Sequence, residues 1–345
     1  MTLNAGWIYG GGAFLISDTS VTSARPPIDV QSSLGQLQLR DDGFVVEEAG
    51  AKLVPLGTHA AAALSGDAAG AVAFVLDAQQ RLARGDALDK ALVDAASSLR
   101  HTQPPFPRYV VLVAVWDARP RLLRLDSDDG SLVEPDDVAI EGSLNDATAE
   151  GVVRRIGGLP QVNREGHLVA ALAFLQNLAA SEDLVSQSVA GVFYGLAVDE
   201  SGVHWAPSTT YLFFHNQADA LSKNGFGKVS YRVLDGVCTV GSSYTGNVKC
   251  LVPPGTDVRR NEWEAKWGET LNGRRSFEMS KVVVLVRSAG NSIVVLKNDG
   301  KHLAADYSDD KPGFRMSPAL IERLEWSPTP ARPFWFSLGI GQSRD

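Results

Sequence analysis

The sequence predicts an α+β fold in which helix layers lie outside packed β-sheets, followed by a smaller β-rich region. Two observations carry this reading. Up to about residue 205 the segments run ββ, ββ, αα, βββ, αα, ββ, and helices arriving in consecutive pairs between antiparallel hairpins have sheet faces to cover. Beyond that point long Ala-rich segments give way to short β-type runs, aromatics and Gly/Pro turns. A doubly wound sheet fits poorly, because single-helix crossovers are missing and no GxGxxG follows the first strand.

Leu3 to Tyr9 and Ala13 to Ser17 read as strands joined by the Gly10-Gly11-Gly12 turn. Residues 22–50, with Arg25-Pro26-Pro27 and Asp41-Asp42-Gly43, read as an exposed excursion holding a short hairpin, Leu37 to Leu39 against Phe44 to Val46. Lys52 to Leu56 and Ala60 to Leu64 form the next hairpin, turning at Gly57-Thr58-His59. Asp67 opens a helix through Leu82 whose Val72, Val75 and Leu76 share a face, and its carboxylate suits the positive helix end. A second helix starts at Asp86. Strands follow at Tyr109 to Trp116, Arg121 to Leu125 and Val138 to Ile140, then helices at Asp146 to Arg155 and Glu165 to about Ser186. Gly191 to Val198 and Val203 to Trp205 return to strand.

Composition excludes several classes. With 32 basic and 40 acidic side chains the net charge is −8, which favours neither nucleic acid nor an anionic membrane. The apolar run Trp7 to Ile16 is short, broken by glycines and preceded by no basic residue, so neither a signal peptide nor a membrane span is expected. Cys238 and Cys250 are too few for a disulfide framework, and the six histidines make no metal-ligand spacing, so no metal and no cofactor are expected. The expected compartment is the cytosol, with both thiols reduced and serving packing.

The residues suited to chemistry cluster early. Thr2 follows Met1 and is small enough for the initiator to be removed. Asp18 lies sixteen residues beyond Thr2 at the end of the second strand, and Lys52 lies fourteen residues before Gly66 in Leu64-Ser65-Gly66-Asp67. Lys52 and Lys90 are the only lysines before Lys223, whereas eight lie from Lys223 to Lys311. Taken singly these residues are ordinary: a frayed terminus, a turn, a strand starter and a loop glycine.

Together, in this order and spacing, they resemble the proteasome β-type and HslV-like family of N-terminal nucleophile hydrolases. Val113 to Asp117 with Pro120 to Asp126 is similar to that family's strand pair, and Ala139-Ile140-Glu141-Gly142-Ser143 to its Gly-Ser turn. The resemblance covers residues 2 to about 205; residues 23–51 form an insertion, and the C-terminal part has no recognised counterpart. It implies a four-layer αββα sandwich over 2–210, with 211–345 as a β-rich extension and the boundary between 206 and 225. It also implies catalysis by Thr2, Asp18, Lys52 and Gly66, support from Thr22, Ser143, Asp183, Ser186 and Ser188, and a substrate pocket built around Val21, Gly50, Val54, Leu64 and Ala68. Ser186 and Ser188 remain alternatives for one position. The implied activity is threonine-type peptide or amide hydrolysis in a homo-oligomer, possible as a ring, with an unfoldase or adaptor partner. A small-substrate amidohydrolase and an inactive proteasome-like scaffold subunit are the alternatives.

The chemistry can be reasoned from the residues themselves. A threonine hydroxyl needs a base, and an α-amino group, with reference pKa about 7.7 to 8.0, is partly neutral near pH 7. Lys52 beside Thr2 favours negative charge on Oγ, and Asp18 holds the ammonium in place. The Gly66 N–H at a helix start suits an oxyanion. None of the five pocket residues is charged, which favours small to medium apolar side chains before the scissile bond.

In the C-terminal part, Val282 to Val286 and Ile293 to Leu296 read as a hairpin, Pro318 to Trp326 as a short helix, and the basic residues from Arg259 to Lys281 as a solvated surface.

Overall fold

A computed structural model describes residues 2–24, 32–34, 42–100, 108–159, 163–181, 184–214, 226–234, 236–242 and 248–254, and the strands at 281–286, 292–297, 303–308, 311–316 and 335–337. In chain order the first part holds β1 (Leu3–Tyr9), β2 (Gly12–Asp18), β3 (Ser20–Ser23), β4 (Val45–Glu48), β5 (Leu53–Gly57), β6 (Ala60–Gly66), α1 (Ala68–Ala83) and α2 (Leu88–Arg100). Then come β7 (Tyr109–Asp117), β8 (Arg119–Asp126), β9 (Leu132–Val133), β10 (Ala139–Gly142), α3 (Asp146–Gly157), α4 (Arg164–Ser181), β11 (Phe193–Asp199) and β12 (Gly202–Trp205). The remainder is strand: β13 (Thr209–Phe214), β14 (Phe226–Leu234), β15 (Val237–Ser242), β16 (Val248–Leu251), β17 (Lys281–Val286), β18 (Ser292–Lys297), β19 (Leu303–Ser308), β20 (Lys311–Met316) and β21 (Trp335–Ser337).

Two five-stranded sheets, ordered β10-β1-β2-β11-β12 and β5-β6-β7-β8-β9, face one another. Helices α1 and α2 lie against the second sheet, and α4 against β2 and β11 of the first. The result is a mixed α/β architecture, αββα-like in its layering, with a β-rich region at its end. Alternation along the strands builds it: Ala61 and Ala63 of β6 and Leu112 and Ala114 of β7 join the cluster between the sheets, whereas Ala62, Leu64, Val111 and Val113 join Phe74, Val75 and Leu92 beneath α1 and α2. Alanine at the inter-sheet positions permits close approach of the two backbones. Asp67 caps α1 by accepting from the Gly70 N–H at 2.7 Å, and Asn145 caps α3 by accepting from Thr148 N at 2.9 Å.

Two expectations need correction. The helix from residue 165 ends at Ser181 rather than near Ser186, and Val185–Gln187 is a separate 3-10 turn. The described part of the 22–50 segment is only partly exposed: Asp42, Gly43 and Phe44 are exposed, whereas Ser32, Ser33, Val45, Val46 and Glu48 are buried. Val45–Glu48 runs antiparallel to Ser20–Ser23, a register that buries both valines. Leu37 to Leu39, Asp183 and the Pro318 to Trp326 helix lie outside the described residues.

A seven-stranded sheet, β16-β15-β14-β13-β17-β18-β21, starts four residues after β12 ends. The hairpin of β17 and β18 has the expected antiparallel pairing. Helix α4 shows why this sheet sits where it does. Its buried residues Leu168, Val169, Ala170, Ala171, Leu172, Ala173 and Leu175 run around the whole circumference, so one covering layer cannot satisfy it. The first sheet covers one side and β18 lies on the helix as well, while Tyr211, Phe213, Val229 and Tyr231 belong to the same apolar cluster as α4. Cys238 pairs with Leu251 and Thr239 with Cys250, so the two thiols point to opposite faces, one buried and one exposed, and both are free. Among the described residues no helix is long and apolar enough to cross a membrane.

A fragment ending at residue 205 would expose α4 and lose the part of the shared core that Tyr211, Phe213, Val229 and Tyr231 supply. It is expected to bind an apolar dye and to lack the cooperative thermal transition of the whole chain. A sharp transition in the fragment, followed by circular dichroism, would contradict this.

Candidate active site

Hairpin geometry brings the first two residues together. Asn4 pairs with Ser17, so Leu3 lies opposite Asp18 and its N–H donates to Asp18 Oδ1 at 2.9 Å. Thr2, just before β1, donates its hydroxyl to the same oxygen. Lys52, just before β5, aligns with the next hairpin through the Leu64 N–H, which donates to Lys52 O at 3.1 Å. The Lys52 ammonium donates to Thr2 Oγ1 and, at 2.6 Å, to Asp18 Oδ1. Thr2, Asp18 and Lys52 therefore form one buried cluster in which a hydroxyl is held between an ammonium and a carboxylate.

Each member is held from behind. Asp18 Oδ2 accepts from the Ser20 hydroxyl and from Ser20 N at 3.2 Å. Ser20 Oγ also lies 3.1 Å from the Ser188 carbonyl and accepts from Ala190 N at 3.2 Å. Lys52 is set by Tyr194, whose phenol oxygen accepts from Lys52 N at 2.5 Å and from Leu53 N at 2.9 Å. Thr2 is fixed by its carbonyl, which accepts from Ser143 N at 2.9 Å. The turn allows this contact only because residue 142 is glycine: at φ +137° a Cβ would lie 1.6 Å from Thr2 O. Burial pushes the Lys52 amine below its usual value, against the opposing pull of Asp18.

A cleft of about 250 Å³ opens on this cluster, with Thr2, Lys52 and Gly66 in its lining. Gly66 closes β6 at φ +90°, where a Cβ would meet the Arg108 carbonyl at 2.4 Å. Val21, Gly50, Leu64 and Ala68 line the cleft, whereas Val54 is buried beneath the helices and takes no part. Of the supporting residues, Ser188 is buried with φ +62° beside Ser20, and Ser186 is exposed on the 3-10 turn. The hydroxyls of Thr22 and Ser143 are buried without a hydrogen-bond partner among the described residues. A wider groove of about 490 Å³ between α3 and α4, beside Arg154, Arg155 and Phe174, contains none of these groups.

Sequence reasoning missed Ser20, Tyr194 and Glu48, and the entry of Val252 and Pro254 into the cleft wall. Ser20 was within reach of inspection, lying two residues beyond Asp18. Glu48 is a carboxylate shut inside the protein, accepting from Thr19 Oγ1 at 3.2 Å, Val192 N at 3.1 Å, Ser33 N at 2.9 Å and Lys249 Nζ at 2.9 Å. It lies next to the β4 valines in sequence, and that placement alone gave no hint of its partners.

No protein-family model and no curated protein matches the chain. Among solved structures it is similar to eukaryotic HslV from Trypanosoma brucei, with a TM-score of 0.41 and 15% identity over 57% of this chain and 99% of that one. At that level the likeness assigns no role to any residue.

Removing Asp18 should leave the Lys52 ammonium buried and unpaired. Asp18→Ala is expected to lose about 3–5 kcal/mol in urea denaturation, and Lys52→Met clearly less, because it takes the charge away. Between the lowered folded value of Lys52 and 10.5 the unfolded chain binds more protons, so this group makes stability rise with pH there and costs most below that window. The wild-type minus Lys52→Met difference in unfolding free energy should follow that slope; a flat difference would show that Lys52 is not perturbed by burial.

Proposed function

We propose that this chain is an N-terminal nucleophile hydrolase that cleaves amide bonds with Thr2, after loss of Met1, and that peptides are its substrates. The observation that supports this reading best is the contact of a buried lysine ammonium with a threonine hydroxyl at the head of the first strand, with an aspartate touching both. A structural threonine needs no such neighbours, since burying an ammonium is costly and serves little purpose unless charge develops beside it.

In this reading the freed α-amine of Thr2 takes the hydroxyl proton while Oγ attacks the substrate carbonyl carbon. Lys52 stabilises the charge on Oγ, and Asp18 orients Lys52. The tetrahedral oxyanion is met by the Gly66 N–H at the cleft wall, a donor of a kind worth about 2.7–4 kcal/mol. Collapse breaks the C–N bond as the α-ammonium returns its proton to the leaving amine, leaving an ester on Thr2. Water then attacks the ester, giving its proton to the α-amine, and the acid leaves as Oγ is reprotonated. Ser143 and Gly142 hold the Thr2 carbonyl, Ser188 holds Ser20 behind Asp18, and Thr22 belongs to the strand bordering the cleft. The finer architecture is then a four-layer αββα sandwich over 2–210, with 211–345 an accessory module.

The volume of the cleft favours a second reading. About 250 Å³ lies below the usual range for ligand sites, which suits one short acyl group, as in a small amide, rather than a long peptide.

Thr2→Ala is expected to fold like the wild type and to lose turnover of fluorogenic amides by about four orders of magnitude or more. Thr2→Ser should keep measurable activity. Intact mass should show the active protein without Met1; turnover by protein that retains Met1 would transfer the role of base from the α-amine to Lys52. Activity undiminished in Thr2→Ala would overturn the reading.

A further inference from the structure

The C-terminal sheet reaches the Thr2 cleft. Strand β16 pairs with β15, and the chain then runs through Val252, Pro253 and Pro254. Alternation sorts these residues: Leu251 and Pro253 are buried, Val252 is 47% exposed, and Val252 and Pro254 both line the cleft that holds Thr2. Two consecutive prolines fix φ and stiffen this edge.

This edge is also tied down. Lys249, three residues before Val252, bridges to Glu48 at 2.9 Å, and the Glu48 side chain is fully buried. The same carboxylate accepts from Thr19, the residue after Asp18, and from Val192. One ion pair, buried at its carboxylate end, thus connects the C-terminal sheet to the strand end that carries the charge cluster. Besides Thr2, Lys52, Ser20 and Ser65, the cleft lining includes Val21, Leu64, Ala68, Val252 and Pro254, all apolar.

We propose that Val252 and Pro254 form one wall of the substrate subsite and select a medium-sized apolar side chain on the acyl group presented to Thr2, with Lys249 and Glu48 as the positioning pair. This rests on the reading of the cleft as the place where substrate meets Thr2. A short apolar wall removes apolar surface from water and leaves a charged side chain dehydrated without a partner, so leucine-like groups bind and lysine-like groups do not. The accessory sheet therefore has a part in specificity and not in bond cleavage.

The test uses the full-length protein, with Met1 removed, and equilibrium binding of the product acids N-acetyl-leucine and N-acetyl-lysine measured by calorimetry. Wild type should favour the leucine ligand, and Val252→Asp should reduce that preference by about tenfold. Val133→Asp, which places the same charge at an exposed position on β9, should leave it unchanged. Lys249→Ala should lower the preference and Lys249→Arg restore it. Failure of the wild type to favour the leucine ligand, or an unchanged preference in Val252→Asp, would overturn the inference. Covalent capture of Thr2 by a small acylating ester, read by mass spectrometry on the same samples, separates the two readings: selective binding without capture would sink the catalytic one and leave this one standing.

Discussion

The Lys52 ammonium, buried against Asp18 and Thr2, is the constraint on which the rest of the structure depends. An ammonium this deep is tolerated only where partners are held in place by structure that cannot relax away from it. Much of the surrounding chain can be understood as meeting that requirement. Asp18 is fixed by the backbone of β1, by Ser20 and through it by the loop at Ser188 and Ala190. Lys52 is fixed by a tyrosine from the opposite sheet that captures two consecutive backbone N–H groups. The Tyr194 phenol is buried, and its proton is held far more tightly than usual, so it serves as a neutral acceptor.

The second buried charge explains why the chain does not stop at the αββα-like core. Glu48 lies in the shade of the same strand end, and its carboxylate gathers donors from four separated segments. Lys249 completes it from across the C-terminal sheet. Together with α4, apolar on all sides, this makes the β-rich region part of one core. A sheet placed for the sake of burial is thereby also placed at the mouth of the cleft.

The candidate site was legible in the sequence through spacings that resemble those of a known family, and hairpin geometry accounts for those spacings. The Thr2 to Asp18 spacing is that of two strands joined by a tight turn, and Leu3 opposite Asp18 follows directly from it. Gly66 and Lys52 belong to a second hairpin of the same kind, with Leu64 aligned to Lys52. Both are local relations, governed by turn length and the two-residue period of the strand. Val54 shows where this reasoning runs short. Alternation says that it shares a face with neighbours two residues away, yet which face looks into the cleft depends on the layer above it, and here that layer is α1 and α2.

What the sequence determined by itself was the course of the main strands and helices up to residue 205 and the pairing of β1 with β2 and of β5 with β6, because these depend on nearby residues and on backbone geometry. It also singled out the residues at the head of β1, through the joint spacing of Thr2, Asp18, Lys52 and Gly66. The tertiary structure decided which hairpins face each other, how the 45–48 segment pairs with β3, and how Lys249 finds Glu48 across 201 residues. No local pattern encodes those meetings. They are set by which buried charges and apolar faces can be satisfied together, and only the folded chain brings those groups within reach of one another.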